Sequence, residues 1–487
     1  MSTKALPGIE LSAERLGGRV LAANDDFFAP KENLLKAAAP IWLEDEYTDR
    51  GKWMDGWETR RRREPGNDWC VMRLGLAGVI RAVVVDTAFF RGNFPESFSL
   101  DGASVEDDDA AVAPGAVWTP ILPATPLSGN TVHRFPVDSP WRFTHLRLNI
   151  FPDGGVARFR AYGAAIPDRG LVEQFDGRID LAGMVNGGEA IAASDMFFSD
   201  RNNMLRTGAS THMADGWETK RRRGPGHDWA VVRLGARGTI ESAIIDTTHF
   251  KGNAPGRAKL EAIDAPGMAD DAVLRRDDWR TLLPETPLQP HDAREFNADA
   301  LVESGSATHV RISIYPDGGV ARLRLYGKPT PDGVEALGLT WLNTLPPAEL
   351  EERLGRCCAA PAWIRALAAG RPYTSRAALD AASEKALAGL DRAEVLEALT
   401  RHPRLGERQA AVSGGEVESR WSRREQSGVS AASDDVKVTI GELNAAYEAK
   451  FGWIFLLCAA GLSGEQVVAA MKERMTNDKD AEASVAG

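Results

Sequence analysis

The chain has 487 residues, a formal net charge of −11, 43% apolar residues and 26% charged residues. That length exceeds one ordinary core and suggests about three domains. The composition excludes wholesale disorder, and the acidic balance argues against nucleic acid as a partner.

The first residues, MSTKALPGIELSAERLGG, lack the apolar segment of a secretory signal. The most apolar run, WIFLLCAAGL (453–462), is about half a membrane span. No membrane partner and a cytoplasmic location are therefore expected. Cys70, Cys357, Cys358 and Cys458 show neither CxxC nor Cys/His spacing. They read as buried thiols of a reducing compartment rather than as zinc ligands.

In chain order, the first 330 residues state one pattern twice. GGRVLAANDDFFAPKENLL (17–35) is answered by GGEAIAASDMFFSDRNNML (187–205), and DGWETRRRREPGNDWCVMRLG (55–75) by DGWETKRRRGPGHDWAVVRLG (215–235). VVVDTAFFRGN (83–93), LPATPL (122–127) and THLRLNIFPDGGVARFRAYG (144–163) recur at 243–253, 283–288 and 308–327. Order is kept while the offset drifts, so this is a tandem duplication, with units at 1–170 and 171–330. WCVMRLG, GVIRAVVVDT, THLRLNIFP and VARFRAYG read as short strands, several alternating at period two between turn residues. Each unit is expected to be an all-β jelly-roll sandwich. FPDGGV reads as a tight hairpin turn.

Residues 331–340, with Pro331 and Gly333, read as a linker. From Trp341 the period becomes helical, and 341–487 is expected to be an all-α domain. Pro346–Pro347, and Thr439 with Glu442, read as helix starts. The last residues, DKDAEASVAG, read as frayed.

The arginine run raises a chemical question. On a strand, Arg60 and Arg62 share one face and Arg61 and Arg63 the other. One reading pairs the guanidiniums with Asp55, Glu58 or Asp68 in a structural network. The other aims one or two of them at a cleft to clamp a planar anion. Asp55 and Glu58, or Asp215 and Glu218 in the second copy, would then serve as acid–base or amidine-binding partners.

DGWETRRRREPGNDWCVMRLG, with the later D-T-x-x-F-x-G-N, LPxTPL and FPDGGVARxRxYG, resembles allantoicase over about residues 8–330. The resemblance implies paired jelly rolls similar to galactose-binding modules, a homo-oligomer, and hydrolysis of allantoate to ureidoglycolate and urea. Asp55, Glu58, Arg60, Arg62, Asp215, Glu218 and Arg222 are the candidate allantoate residues. Arginines suit the substrate carboxylate and carboxylates suit its ureido N–H groups. The copies diverge where His227 replaces Asn67 and His249 replaces Phe89. His133, His145 and His309 read as structural strand histidines. Which sandwich holds the cleft stays open. So does a divalent metal for this unit: Asp, Glu and His abound, but no HxH or HxxxD cluster supplies a ligand set.

Farther on come RHPRLGERQ (401–409), SRREQSG (422–428) and LNAAYEAKFGWIFLLCAAG (443–461). Ser422, Glu425 and Gln426, spaced i, i+3, i+4, share a helical face. These motifs together resemble 2-oxo-4-hydroxy-4-carboxy-5-ureidoimidazoline (OHCU) decarboxylase. The resemblance implies a helical fold using neither organic cofactor nor metal, with His402 as catalytic acid/base beside Glu425. Pro403, Ser422 and Gln426 would hold the ring and ureido groups, and the stretch through Phe455, Leu457 and Ala459 would contact the substrate. The sequence thus reads as a bifunctional enzyme acting on small ureides. Its rivals are a tandem carbohydrate-binding module fused to a helical interaction domain, or an allantoicase carrying a relic decarboxylase.

Overall fold

The structure, a computed structural model, describes residues 6–105, 107–167, 177–302, 305–391, 393–395, 433–457 and 462–486. The chain divides into two units, Met1–Pro346 and Pro347–Gly487.

In the first unit each repeat is organised by one 19-residue strand, Asp68–Asp86 or Asp228–Asp246. Each strand joins two runs that the sequence presents as separate. The beginning of Asp68–Asp86 lies between Arg19–Ala23 and Arg142–Phe151, and its end lies between Arg158–Ala165 and Val132–Pro136. All these pairings are antiparallel, so a single strand serves both layers of the sandwich. Its register with Arg142–Phe151 shifts across LGLAG, where the backbones crowd: a Cβ on Gly78 would lie 2.1 Å from the Ala164 carbonyl oxygen. Alternate residues such as Met72, Leu74, Ile80, Val83 and Val85 point inward onto Phe98, Phe143 and Phe159. The second repeat reproduces these pairings around Asp228–Asp246. Two tandem β-sandwiches are followed by helices, as the sequence implies.

FPDGGV is not a hairpin turn. The strands on either side of it both pair with Asp68–Asp86, not with each other. Gly155–Val156 instead pairs with Trp57–Glu58, and Gly319–Val320 with Trp217–Glu218. Gly154 has a φ of 138°, which favours glycine. Gly155 is required by packing, because a Cβ there would sit 2.0 Å from the Phe90 ring.

The arginine run is a loop, not a strand: strand structure stops at Glu58 and resumes at Asp68. The carboxylates of Asp25 and Asp153 accept the backbone N–H groups of Arg60 and Arg62 at 3.1 and 2.9 Å, in place of a neighbouring strand. Asp195 and Asp317 do the same for Lys220 and Arg222.

Residues 331–340 are not an irregular linker but begin a helix, Pro331–Thr344. Pro331 suits its first turn, and the Thr330 hydroxyl accepts the Gly333 N–H. Arg237 ties Asp332 to the second sandwich at 2.7 Å, and Leu337 packs on the sandwich core.

In the second unit the described helices are Pro347–Cys357, Pro361–Ala369, Arg376–Ala388, Asp434–Phe451, Gly464–Arg474 and Lys479–Ala486. Ser433 caps the fourth of these, so Thr439 lies inside it rather than at its start. The fifth carries a capping box between Ser463 and Gln466. Ile440, Tyr447, Phe451, Phe455, Val467 and Met471 form an apolar core. The segment expected to fray is helical and inserts Glu482 fully buried against Tyr447 and Arg474. Among the described residues no helix is long and apolar enough to cross a membrane.

Candidate functional site

The two DGWET motifs place their aspartates inward. Asp55 is buried and accepts Arg158 Nη2 at 2.7 Å and the Ile41 N–H at 3.1 Å, with Lys36 Nζ at 3.5 Å. Burial pushes its pKa up, but the Arg158 and Ile41 bonds and nearby cations outweigh that and hold it below the usual carboxylate range. Asp215 is held likewise by Arg322 at 2.7 Å and Arg206 at 2.8 Å. The glutamates are less constrained. Glu58 accepts Asn93 Nδ2 at 2.6 Å, and burial raises its pKa against that bond. Glu218 accepts from Asn253.

The arginines sort by alternate position even though they lie in a loop. Arg60 pairs with Asp25 at 2.6 Å and Arg62 with Asp68 at 2.7 Å. In the second copy Lys220 pairs with Asp195 and Arg222 with Asp228. Arg61, Arg63, Arg221 and Arg223 are exposed. The second loop borders a cavity of about 330 Å³ lined by Asp195, Lys220, Arg221, Arg222, Arg223 and Asp228. Five of the seven candidate allantoate residues, Asp55, Arg60, Arg62, Asp215 and Arg222, are thus engaged in ion pairs within their own repeat.

His145 is buried between Thr144 Oγ1 at 2.9 Å and Asp108 Oδ1 at 3.1 Å, and His309 repeats this with Thr308 and Asp270. Burial lowers the His145 pKa against the Asp108 bond. Asp108 also holds Arg19 and Arg73; burial raises its pKa, and the bonds from Arg19, His145 and Arg73 bring it down to about 2. His249 keeps the positive φ of Phe89, 74° against 68°, and its Nε2 lies 2.9 Å from the Ser210 carbonyl oxygen. His133 contacts the Ser128 backbone, and His227 packs on Tyr315.

Sequence reasoning missed a cavity of about 460 Å³ between the repeats. Glu10, Arg15 and Tyr162 line it from the first repeat, and Asp200, Asn203 and Arg206 from the second. Glu10 lies 3.0 Å from Arg160, and burial raises its pKa despite the charges of Arg160, Arg15 and Arg206. Burial and the charge of Arg15 bring Arg206 down to about 10, against its Asp215 bond. Burial, helped by Glu10, pushes Tyr162 up to about 12. A signal existed in the sequence: at the 170-residue offset Arg15 is answered by Val185, so the two copies differ where this cavity forms.

In the helical unit, His402, Pro403, Ser422, Glu425, Gln426 and Ala459 lie outside the described residues. The Phe455 side chain is buried in the core, edge-on to Tyr447, and the Arg474 guanidinium lies 4.7 Å from its ring centre. Leu457 packs half-buried on the same core. Arg474 Nη1 donates to the Leu456 carbonyl at 2.6 Å, anchoring this stretch. Among the described residues no group of three or more His, Cys, Asp or Glu side chains is placed to hold a metal ion.

A duplicated β-sandwich with charged loops and a charged cavity between its copies, followed by a helical unit, sets the class of the protein. The allantoicase-repeat family model matches residues 9–166 and 179–330, and the OHCU decarboxylase family model matches 343–487. A probable allantoicase from Pseudomonas aeruginosa is 46% identical over 324 residues, covering 66% of this chain and 96% of that protein. One from Photobacterium profundum is 45% identical over 320 residues, with the same coverage. The crystal structure of allantoicase from Saccharomyces cerevisiae superposes with a TM-score of 0.55 at 34% identity, covering 66% of this chain and 92% of that one. The chain belongs to the allantoicase family and carries an OHCU decarboxylase domain after the two repeats.

Proposed function

We propose that this chain catalyses two separate reactions on ureides. The sandwich unit hydrolyses allantoate to ureidoglycolate and urea, and the helical unit decarboxylates OHCU to (S)-allantoin. The observation that carries this reading is that both allantoicase repeats and a decarboxylase domain are matched along one chain. The reactions are not consecutive, because allantoin must be opened to allantoate between them.

Loss of CO₂ from OHCU leaves an electron pair on the ring carbon, which the adjoining carbonyl and imine system absorbs. No organic electron sink is required. A proton must then reach one face of that carbon. His402 is the residue proposed to deliver it, with Glu425 beside it and Pro403, Ser422 and Gln426 holding the substrate. Phe455 acts by fixing the backbone of the neighbouring stretch, in which Leu457 and Ala459 are the proposed contacts. The protein works in the cytoplasm as a homo-oligomer.

The test uses the purified full chain. Urea release from allantoate, with and without Mn²⁺, is compared with a heat-killed control. Circular dichroism follows allantoin formed from freshly generated OHCU. His402→Asn is expected to slow decarboxylation by about 10²-fold or more while urea release is unchanged. Absence of urea under both metal conditions, or a single allantoin enantiomer formed at the wild-type rate by His402→Asn, counts against the corresponding half.

A further inference from the structure

We propose that allantoate is hydrolysed in the cavity between the two repeats, its carboxylate held by Arg15 and Arg206 and its central carbon set beside Glu10. This rests on the allantoicase reading above and specifies where that reaction occurs.

Three observations point there rather than to the arginine loops. First, the motif aspartates and the inner arginines of the loops are already matched within their own repeats. Second, cations outnumber carboxylates in the lining of the inter-repeat cavity: Arg15, Arg201 and Arg206 stand against Glu10 and Asp200, and Glu10 already pairs with Arg160 at 3.0 Å. Arg15 stands on its rim outside any ion pair among the described residues. Arg206 shares Asp215 with Arg322, so two guanidiniums divide one carboxylate. An incoming carboxylate would supply the missing anion, in the bidentate geometry that guanidinium favours. Third, the volume of about 460 Å³ suits a small molecule.

The cavity needs both repeats. Neither repeat alone contains it: the edge strand Ile9–Glu10 and the turn Glu14–Leu16 meet the second repeat's turn Arg201–Leu205. The replacement of Arg15 by Val185 removes one arm of the clamp from the equivalent edge of the second repeat.

The chemistry balances with Glu10 as one proton carrier. The protonated Glu10 carboxyl gives its proton to the nitrogen of the departing ureido group as the bond from the central carbon to that nitrogen breaks. Urea leaves, and the lone pair of the remaining ureido nitrogen forms a C=N bond. Water adds to that carbon and returns a proton to Glu10, giving ureidoglycolate. No oxidant, reductant or further reactant is consumed. Burial, which favours the neutral carboxyl of Glu10, suits the first of these transfers.

The experiment compares Arg15→Gln and Glu10→Gln with wild type in the full chain, by urea release and by melting temperature. OHCU decarboxylation reports on the other unit. Arg15→Gln is expected to raise KM for allantoate about tenfold or more with kcat within about threefold, since it removes a charge-assisted contact made in the ground state. Glu10→Gln is expected to lower kcat about 10²-fold or more at similar KM. Both should keep wild-type decarboxylation, and Arg15→Gln, on the rim, should keep the melting temperature. Wild-type kinetics in both variants, alongside active wild-type enzyme, overturns the site while leaving the activity standing. A wild-type chain that releases no urea overturns the activity, and the site with it.

Discussion

Arg158 donates to Asp55 at 2.7 Å in the first sandwich, and Arg322 repeats that bond to Asp215 at 2.7 Å in the second. The bond joins the aspartate of DGWET to the arginine that follows GGVA, which explains why these distant motifs recur together. All four side chains are buried. Removing the carboxylate charge strands a buried guanidinium, which typically costs about 3–5 kcal/mol. Asp55→Asn and Asp215→Asn are each expected to destabilise the sandwich unit by that order in denaturant titration. A loss below about 1 kcal/mol would show that the pair is not a structural tie.

Much of this was legible in the sequence, and the misses share a cause. The duplication, the sandwich class and the helical change of period depend on local pattern. The arginine loop does not. Its acceptors, Asp25 and Asp153, lie 35 and 91 residues away, so alternation alone suggested a strand. FPDGGV carries a turn composition that suits a hairpin, yet the long strand Asp68–Asp86 lies between its flanking strands. The cavity lined by Glu10, Arg15 and Arg206 was not legible because it sets residues of one repeat against residues of the other, a pairing that no local pattern records.

The alternation within the arginine loop gives a sharp contrast. Asp68, almost fully buried, accepts Arg62, whereas Arg61 and Arg63 are exposed. Hydrogen bonds to charged groups contribute about 1.5–3 kcal/mol. Arg62→Ala is expected to destabilise by that order, and Arg61→Ala and Arg63→Ala to stay within about 0.5 kcal/mol of wild type. Equal melting temperatures for all three variants would remove the distinction.

Asp108 provides an acid-range signature. Its carboxyl falls from its ordinary 3.8 to about 2: burial opposes ionisation, and the bonds from Arg19, His145 and Arg73 override it. A depressed carboxyl contributes stability that is complete above its unfolded pKa and is lost as pH falls through the folded one. The window therefore runs from about pH 4 down to about pH 2. The shift corresponds to at most about 2.5 kcal/mol, and partial exposure reduces it toward about 1. Asp108→Asn should be less stable than wild type at pH 7, with the gap closing across that window in pH-resolved denaturation. A gap that persists below pH 2 would mean that packing, not charge, sets the cost.

Glu482 holds the last described helix onto the helical core. Its carboxylate is fully buried and takes Arg474 Nε at 2.7 Å, Asn477 Nδ2 at 2.6 Å and the Tyr447 hydroxyl. Burial pushes its pKa up, and these bonds more than offset that. Arg474 in turn caps the Leu456 carbonyl and lies against the Phe455 ring. One carboxylate therefore orients the cation that fixes the apolar stretch on which the decarboxylase reading relies. Glu482→Ala leaves that cation uncompensated and should cost the helical unit about 3–5 kcal/mol. Glu482→Gln keeps an acceptor and should cost less. In calorimetry the transition of the helical unit should fall while that of the sandwich unit stays in place. At a temperature where the variant remains folded, decarboxylation should drop and urea release should not. If Glu482→Ala decarboxylates OHCU at the wild-type rate, the Glu482–Arg474 pair holds a helix in place but has no part in shaping the substrate stretch.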